Sequence, residues 1–249
     1  RSKLGLHFSP QIIEAYSDEV YRPRYEQALY ELRQRKGLSR TQSHALMSSR
    51  TLFGLMMLKM GDADAYVNGV THEYPDVIRP ALQLFHTRPG ARRASGVYLM
   101  IVKGRVYLFT DATVNINPDA ETLAEIAILA ADFARSLEIE PRVALLSFSN
   151  FGSTPHPSSD KVRIAVGLVR QHRPDIPVDG EMQADTALMT DIIEQRFPFS
   201  RVKDANVLVF PDLEAANIAY KLLARLGSAE TIGPILLGIG APVHVLQAG

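Results

Sequence analysis

The chain has 249 residues, 46% of them apolar, and its 27 basic residues are balanced by 27 acidic ones, so the formal net charge is zero. That is enough apolar material for one large core or two smaller ones. The charge balance lacks the excess of Lys and Arg with which a nucleic-acid binder displaces counterions from phosphates, and the absence of cysteine excludes disulfides, thiolate metal sites and a cysteine nucleophile.

Taken in chain order, Gln11–Ser17 (QIIEAYS) reads as a short strand. Arg24–Arg35 carries Leu and Tyr at helical spacing, with Gly37 in the usual stop position. Ser39 caps a polar helix running to Ser49. Leu52–Met60 (LFGLMMLKM), apolar on nearly every face, reads as a buried helix ended by Gly61. Asp64–Val70 alternates weakly and reads as a strand. Asp76–His86 is helical, with Pro80 expected in the first turn, where a missing N–H is tolerated. Gly96–Val102 and Arg105–Thr110 flank Lys103-Gly104, a two-residue hairpin signal. Asp119 caps a long helix whose apolar face carries Leu123, Ala127, Ala130, Ala134 and Leu137.

From there short apolar strands alternate with helices: strand Val143–Ser147, helix Lys161–His172, strand Ile176–Asp179, helix Met182–Arg196, strand Asn206–Phe210, helix Leu213–Leu226 and strand Pro234–Gly238. Such alternation predicts a mostly parallel sheet with crossover helices. Charge breaks every apolar run short of the ~20 residues a membrane helix needs. No signal-peptide pattern opens the chain, so a cytoplasmic location is expected, with no membrane and no nucleic-acid partner. The start at Arg1 rather than Met is read as a piece of a longer polypeptide.

In open α/β sheets, ligands bind beyond the carboxyl ends of the strands. The residues there are SFSNFGSTPHP (Ser147–Pro157), Asp179-Gly180-Glu181, Pro211-Asp212 with Asn217 a turn later, and Gly238-Ile239-Gly240. Helix N-termini favour anions, and Gly152 and Ser153 allow close backbone approach and add a hydroxyl donor. Singly, Asp179, Asp212 and Ser153 read as helix caps; together at consecutive strand ends they mark a ligand cleft. Sharper motifs are missing: no GxxxxGK[ST], no GxGxxG, no HxxxH and no GxSxG elbow. His156 as a base, and Asp179 with Glu181 as an acid/base pair, are each outweighed by plain structural roles.

The stretches VALLSFSNFGS, VDGEMQAD, FPDLEAANIAYKLL and IGPILLG, with VIRPALQLF, NPDAETLAEIA and IEPRVALLSFS, together resemble the phosphate acetyltransferase family over most of the chain, from about Arg24 to the end. The resemblance implies a two-lobed, three-layer α/β/α fold with mostly parallel sheets and a cleft for coenzyme A. The first lobe is then partial, at 1–79 with 240–249 returning to it, and 80–239 form the second α/β lobe. Carried over residue by residue, it implies acetyl-CoA binding by Arg79, Ser149, Asn150, Gly152, Ser153, Asn217 and Lys221, with Asp179, Glu181 and Asp212 organising loops.

The family's Ser-Arg pair, which serves catalysis, is replaced by Gln247 and Ala248, its following acid lies beyond residue 249, and Glu73-Tyr74 stand for a Ser-Thr pair. These departures, with a PVHVL-like end, resemble the C-terminal domains of bacterial NADP-dependent malic enzymes. That likeness implies a non-catalytic regulatory and oligomerisation domain with no catalytic residue and no metal of its own. Acetyl-CoA is then an allosteric ligand, and the attached malic enzyme domain is the partner that carries NADP and a divalent metal. Self-association to a dimer or higher oligomer, such as a hexamer, follows from the same likeness. The alternatives are a working phosphate acetyltransferase, moving acetyl between coenzyme A and phosphate, and a structural module with an empty cleft.

Overall fold

A computed structural model describes residues 9–69, 72 and 74–246. Its helices are α1 (Tyr21–Arg33), α2 (Arg40–Leu46), α3 (Arg50–Lys59), α4 (Tyr74–Phe85), α5 (Ala120–Ser136), α6 (Pro157–His172), α7 (Ala184–Leu188), α8 (Thr190–Arg196) and α9 (Leu213–Leu226). The strands are β1 (Tyr66–Gly69), β2 (Ser95–Val102), β3 (Arg105–Thr110), β4 (Val143–Leu146), β5 (Val178–Met182), β6 (Val207–Val209), β7 (Glu230–Leu237) and β8 (Val243–Leu246). No helix among the described residues is long and apolar enough to cross a membrane.

Six strands form one sheet in the order β5-β4-β6-β3-β2-β7. β5, β4, β6 and β3 run parallel, while β2 is antiparallel to both β3 and β7. The fold is therefore mixed α/β with a mostly parallel sheet, and the carboxyl ends of β3, β4, β5, β6 and β7 share one edge. The β2–β3 hairpin pairs Val102 with Arg105, and its turn residues Lys103 and Gly104 both take positive φ, as a two-residue hairpin loop demands. A second sheet pairs β1 with β8 in parallel.

Side-chain alternation divides the core. In β4, Val143 and Leu145 pack with α5 and α6, whereas Ala144 and Leu146 pack on the opposite face with Phe210, Ala216 and Tyr220. All four residues are buried, so this strand reads as an unbroken apolar run instead of an alternating one. A third cluster joins Tyr25, Leu55, Met56, Val77 and Ala81 to Leu236, Val243 and Val245.

Several expectations change. Gln11–Ser17 forms no strand: Ser17 and Asp18 N–H groups turn back to the Glu14 carbonyl, and Asp18 then receives the Val20 and Tyr21 amides ahead of α1. Pro80 lies inside α4, because the helix starts at Tyr74 with Pro75 already in its first turn. Its apolar face, Val77, Ile78, Ala81 and Leu84, is buried and offsets the lost hydrogen bond. The region Met182–Arg196 is not one helix. β5 continues to Met182, and extended backbone at Met189 separates α7 from α8. Strand β7 starts at Glu230, well before Pro234, because antiparallel pairing with β2 extends it. Leu137 is not part of the buried face: it is the C-cap of α5 and 41% exposed.

The contrast between Leu145 and Leu137 is measurable. Leu145→Ala should cost about 2–5 kcal/mol, from lost burial and the cavity left behind, and Leu137→Ala no more than about 0.5 kcal/mol. Urea unfolding midpoints of the two variants check both.

Candidate functional site

The centre of the strand-end edge is built by Asp111, directly after β3. This carboxylate is 3% exposed. Its Oδ1 accepts from the amides of Gly96 (3.0 Å), Thr113 (2.9 Å) and Val114 (3.1 Å), and its Oδ2 from the Asn115 amide (2.8 Å) and side chain. The loop after β3 is thereby folded against the start of β2. Gly96 leaves no room for a side chain, since a Cβ would occupy the place of Thr113 Oγ1. Sequence reasoning passed over Asp111. The available signal was an acid set directly after the apolar run RVYLFT and followed by ATVN.

Between this loop and α4 lies a cavity of 550 Å³, lined by Arg33, Lys36, Tyr74, Arg79, His86 and Thr113 among others. Among the described residues no acidic side chain lines it. Among the described residues neither Lys36 nor Arg79 has a carboxylate partner, and Arg33 only donates weakly to the Gln83 carbonyl at 3.5 Å. The first turn of α4 reaches the cavity at Tyr74 and Pro75, which sets the positive end of the helix dipole at its wall. Tyr74 donates to Thr113 Oγ1 at 3.2 Å, and burial pushes its phenol up to about 12 against the opposing effect of that hydrogen bond, with Asp111 adding to the rise. A second cavity of 360 Å³, lined by Arg92, Arg93 and Asn115, shares the walls Leu82, His86 and Val114 with the first.

The stretch after β4 is occupied differently. Ser149 is buried; its Oγ donates to Glu181 Oε1 at 3.0 Å, accepts from the Thr154 amide at 3.1 Å and lies 3.2 Å from Ser153 Oγ. Positive φ at Phe151 and Gly152 turns their amides onto Glu181: Phe151 N–H meets its carbonyl at 2.8 Å and Gly152 N–H its Oε1 at 2.6 Å. Asn150 exchanges hydrogen bonds with Gln183, and its amide donates to Ser153 Oγ at 3.0 Å. His156 caps α6 through Nδ1 to the Ser158 amide. Asp212 caps α9 through the Ala215 amide at 2.8 Å. Lys161 Nζ bridges Asn117 Oδ1 (3.1 Å) and the Pro211 carbonyl (3.0 Å), tying the ends of β3 and β6 to α6.

Arg79 thus lines the α4 cavity, while Ser149, Asn150, Gly152 and Ser153 are gathered around Glu181 and Gln183 at the β4–β5 end. The two groups share no hydrogen bond among the described residues. Asp179 is buried and paired with Arg170. Asn217 is half-buried on α9 and Lys221 is exposed beside the Tyr220 ring; neither lines the cavities around α4. Residues 73, 247 and 248, the positions of the sequence departures, lie outside the described residues.

The chain belongs to the phosphate acetyl/butaryl transferase family, whose model matches residues 2–249. It is 43% identical to a phosphate acetyltransferase of Thermoanaerobacterium thermosaccharolyticum, over 98% of this chain and 77% of that protein. A crystal structure of a phosphotransacetylase from Streptococcus pyogenes superimposes with a TM-score of 0.90 at 39% identity, covering all of this chain and 76% of the other. An NADP-dependent malic enzyme of Escherichia coli is 41% identical over 98% of this chain, which covers 32% of it. The expectation of a non-catalytic regulatory domain of a malic enzyme is therefore corrected. The chain aligns across about three quarters of proteins named as phosphate acetyltransferases and shares their fold throughout.

Because the folded-state pKa of Tyr74 lies above the ordinary tyrosine value of about 10, its contribution is complete below pH 10 and is lost as pH rises through about 12. The stability difference between wild type and Tyr74→Phe should stay constant below pH 10 and shrink by roughly 2–3 kcal/mol toward pH 12. Denaturant titrations at stepped alkaline pH check this.

Proposed function

We propose that this protein is a phosphate acetyltransferase that moves an acetyl group between coenzyme A and inorganic phosphate. The observation that carries the reading is the α4 cavity: three cationic side chains, no acid in the lining among the described residues, and a helix N-terminus at one end. Guanidinium groups match phosphate oxygens in paired hydrogen bonds. The adjoining cavity with Arg92 and Arg93 supports a long substrate with further phosphates, as coenzyme A is.

In the direction of thioester formation, the coenzyme sulfur attacks the carbonyl carbon of acetyl phosphate. The C–S bond forms, the C–O bond to phosphorus breaks, and phosphate leaves with the electron pair. The thiol proton is matched by the proton on the hydrogen phosphate released. Negative charge builds on the carbonyl oxygen and the leaving phosphate, and Arg79, Arg33 and Lys36 are fixed positive charges for it, so the reading does not depend on a cation at position 248. Preset charges of this kind supply the largest share of many rate enhancements. Neutral Tyr74 holds the Thr113 wall without adding negative charge to it.

Purified protein mixed with acetyl phosphate and coenzyme A should form thioester with turnover. Arg79→Ala should lower kcat/KM about 10²–10³-fold, with Arg79→Lys between the two, because an ammonium keeps the charge but loses the planar fork. Absence of turnover in wild type would sink the reading.

Self-association is part of the proposal. Ile218, Leu222 and Leu226 form an exposed apolar stripe on successive turns of α9. Light scattering should give an oligomer for wild type, and Leu222→Glu should shift it toward monomer.

A further inference from the structure

A smaller cavity of 260 Å³ lies along β5, at the edge of the six-stranded sheet, and shares no lining residue with the α4 cavity. Arg163 and Arg170 of α6 and Arg201 beyond α8 line it, beside the rings of Phe151 and Phe199, whose centroids are 5.0 Å apart. Two carboxylates also line it, in unlike states. Asp179 is saturated: Oδ1 accepts from Arg170 and from the Gly180 amide, and Oδ2 from Ser200 Oγ at 3.2 Å and the Arg201 amide at 2.7 Å. Glu181, 1% exposed, uses one oxygen only. Its Oε1 holds Ser149 Oγ and the Gly152 amide, while its Oε2 is buried with no partner. Arg170 Nε is likewise buried with no partner. Among the described residues no ion pair joins Glu181 to any of the three arginines.

Buried polar atoms are normally paired, so an orphan acceptor and an orphan donor on two residues that line one cavity define the ligand they lack. It must donate one hydrogen bond and accept several. We propose that this cavity binds a protonated phosphoryl oxyanion, as free hydrogen phosphate or as the end group of a small phosphomonoester. Its P–OH donates to Glu181 Oε2, and its other oxygens accept from Arg163, Arg170 Nε and Arg201. The carboxylate then acts as a filter. Hydrogen phosphate keeps a proton at neutral pH and satisfies Glu181, whereas sulfate has none and sets a bare oxygen against it. Glu181 also holds Ser149 and Gly152, so occupancy couples to the loop after β4. The inference stands on this cavity alone and is independent of the transferase reading.

The α4 cavity also attracts anions, so calorimetric titrations use the full chain carrying Arg79→Ala. Phosphate should bind at least about tenfold more tightly than sulfate at matched ionic strength. Adding Glu181→Gln keeps an oxygen for Ser149 and Gly152 but presents an amide donor to the cavity, and the preference should reverse toward sulfate. Adding Arg163→Gln and Arg201→Gln should weaken both anions about tenfold or more. Glycerol phosphate binding as tightly as phosphate identifies a phosphomonoester end group, and clearly weaker binding identifies the free ion. Equal binding of phosphate and sulfate by the Glu181 protein, or a preference unmoved by Glu181→Gln, would overturn the proposal.

Discussion

The site depends on one buried carboxylate. Asp111 sits at the end of a central strand, where the sheet's parallel half meets its antiparallel pair, and gathers four backbone amides and one side-chain amide. A carboxylate satisfied by amides is held fixed in a buried place where an unpaired one would be costly. It converts a loop into a wall. Thr113 and Val114 are held facing α4, and Gly96 lets them come close. Loss of Asp111 would leave several buried N–H groups without acceptors and release that wall.

Charge is sorted along the same edge. Toward α4 the cations stand without carboxylate partners among the described residues, which keeps them available for an anionic ligand. Toward β5 the acids are engaged: Asp179 fully, Glu181 through one oxygen. The serine-rich stretch after β4, so open to ligands on paper, spends most of its hydroxyls on its own loop. Ser149 faces Glu181, and Ser153 faces Ser149 and Asn150. The zero net charge of the chain thus conceals a strongly uneven local distribution.

Much of the fold was legible in the sequence because its signals are local. Lys103-Gly104 specified the hairpin, Ser39 and Asp119 the helix starts, and the four apolar residues of β4 a strand buried on both faces. What was hidden depends on tertiary pairing. β7 is long only because β2 lies beside it, and QIIEAYS has strand composition but no strand partner. The site divides the same way. Arg79 was singled out through the family resemblance of VIRPALQLF and lines the α4 cavity, whereas Arg33 and Lys36 come from a separate helix and turn and meet it only after folding. Asp111 looked like an ordinary strand-ending acid, since nothing local tells five hydrogen bonds from none. The departures at the chain's end drew the functional reading toward a regulatory domain, which the family relationship and the shared fold reversed.

The central claim is that the cationic cavity beside α4 is where the reacting phosphoryl group sits. A crystal structure with coenzyme A and phosphate soaked in tests it most directly. The account predicts phosphate density within hydrogen-bonding distance of Arg79, with the coenzyme running toward Arg92 and Arg93. A coenzyme lodged elsewhere, with the α4 cavity holding only solvent, would contradict it.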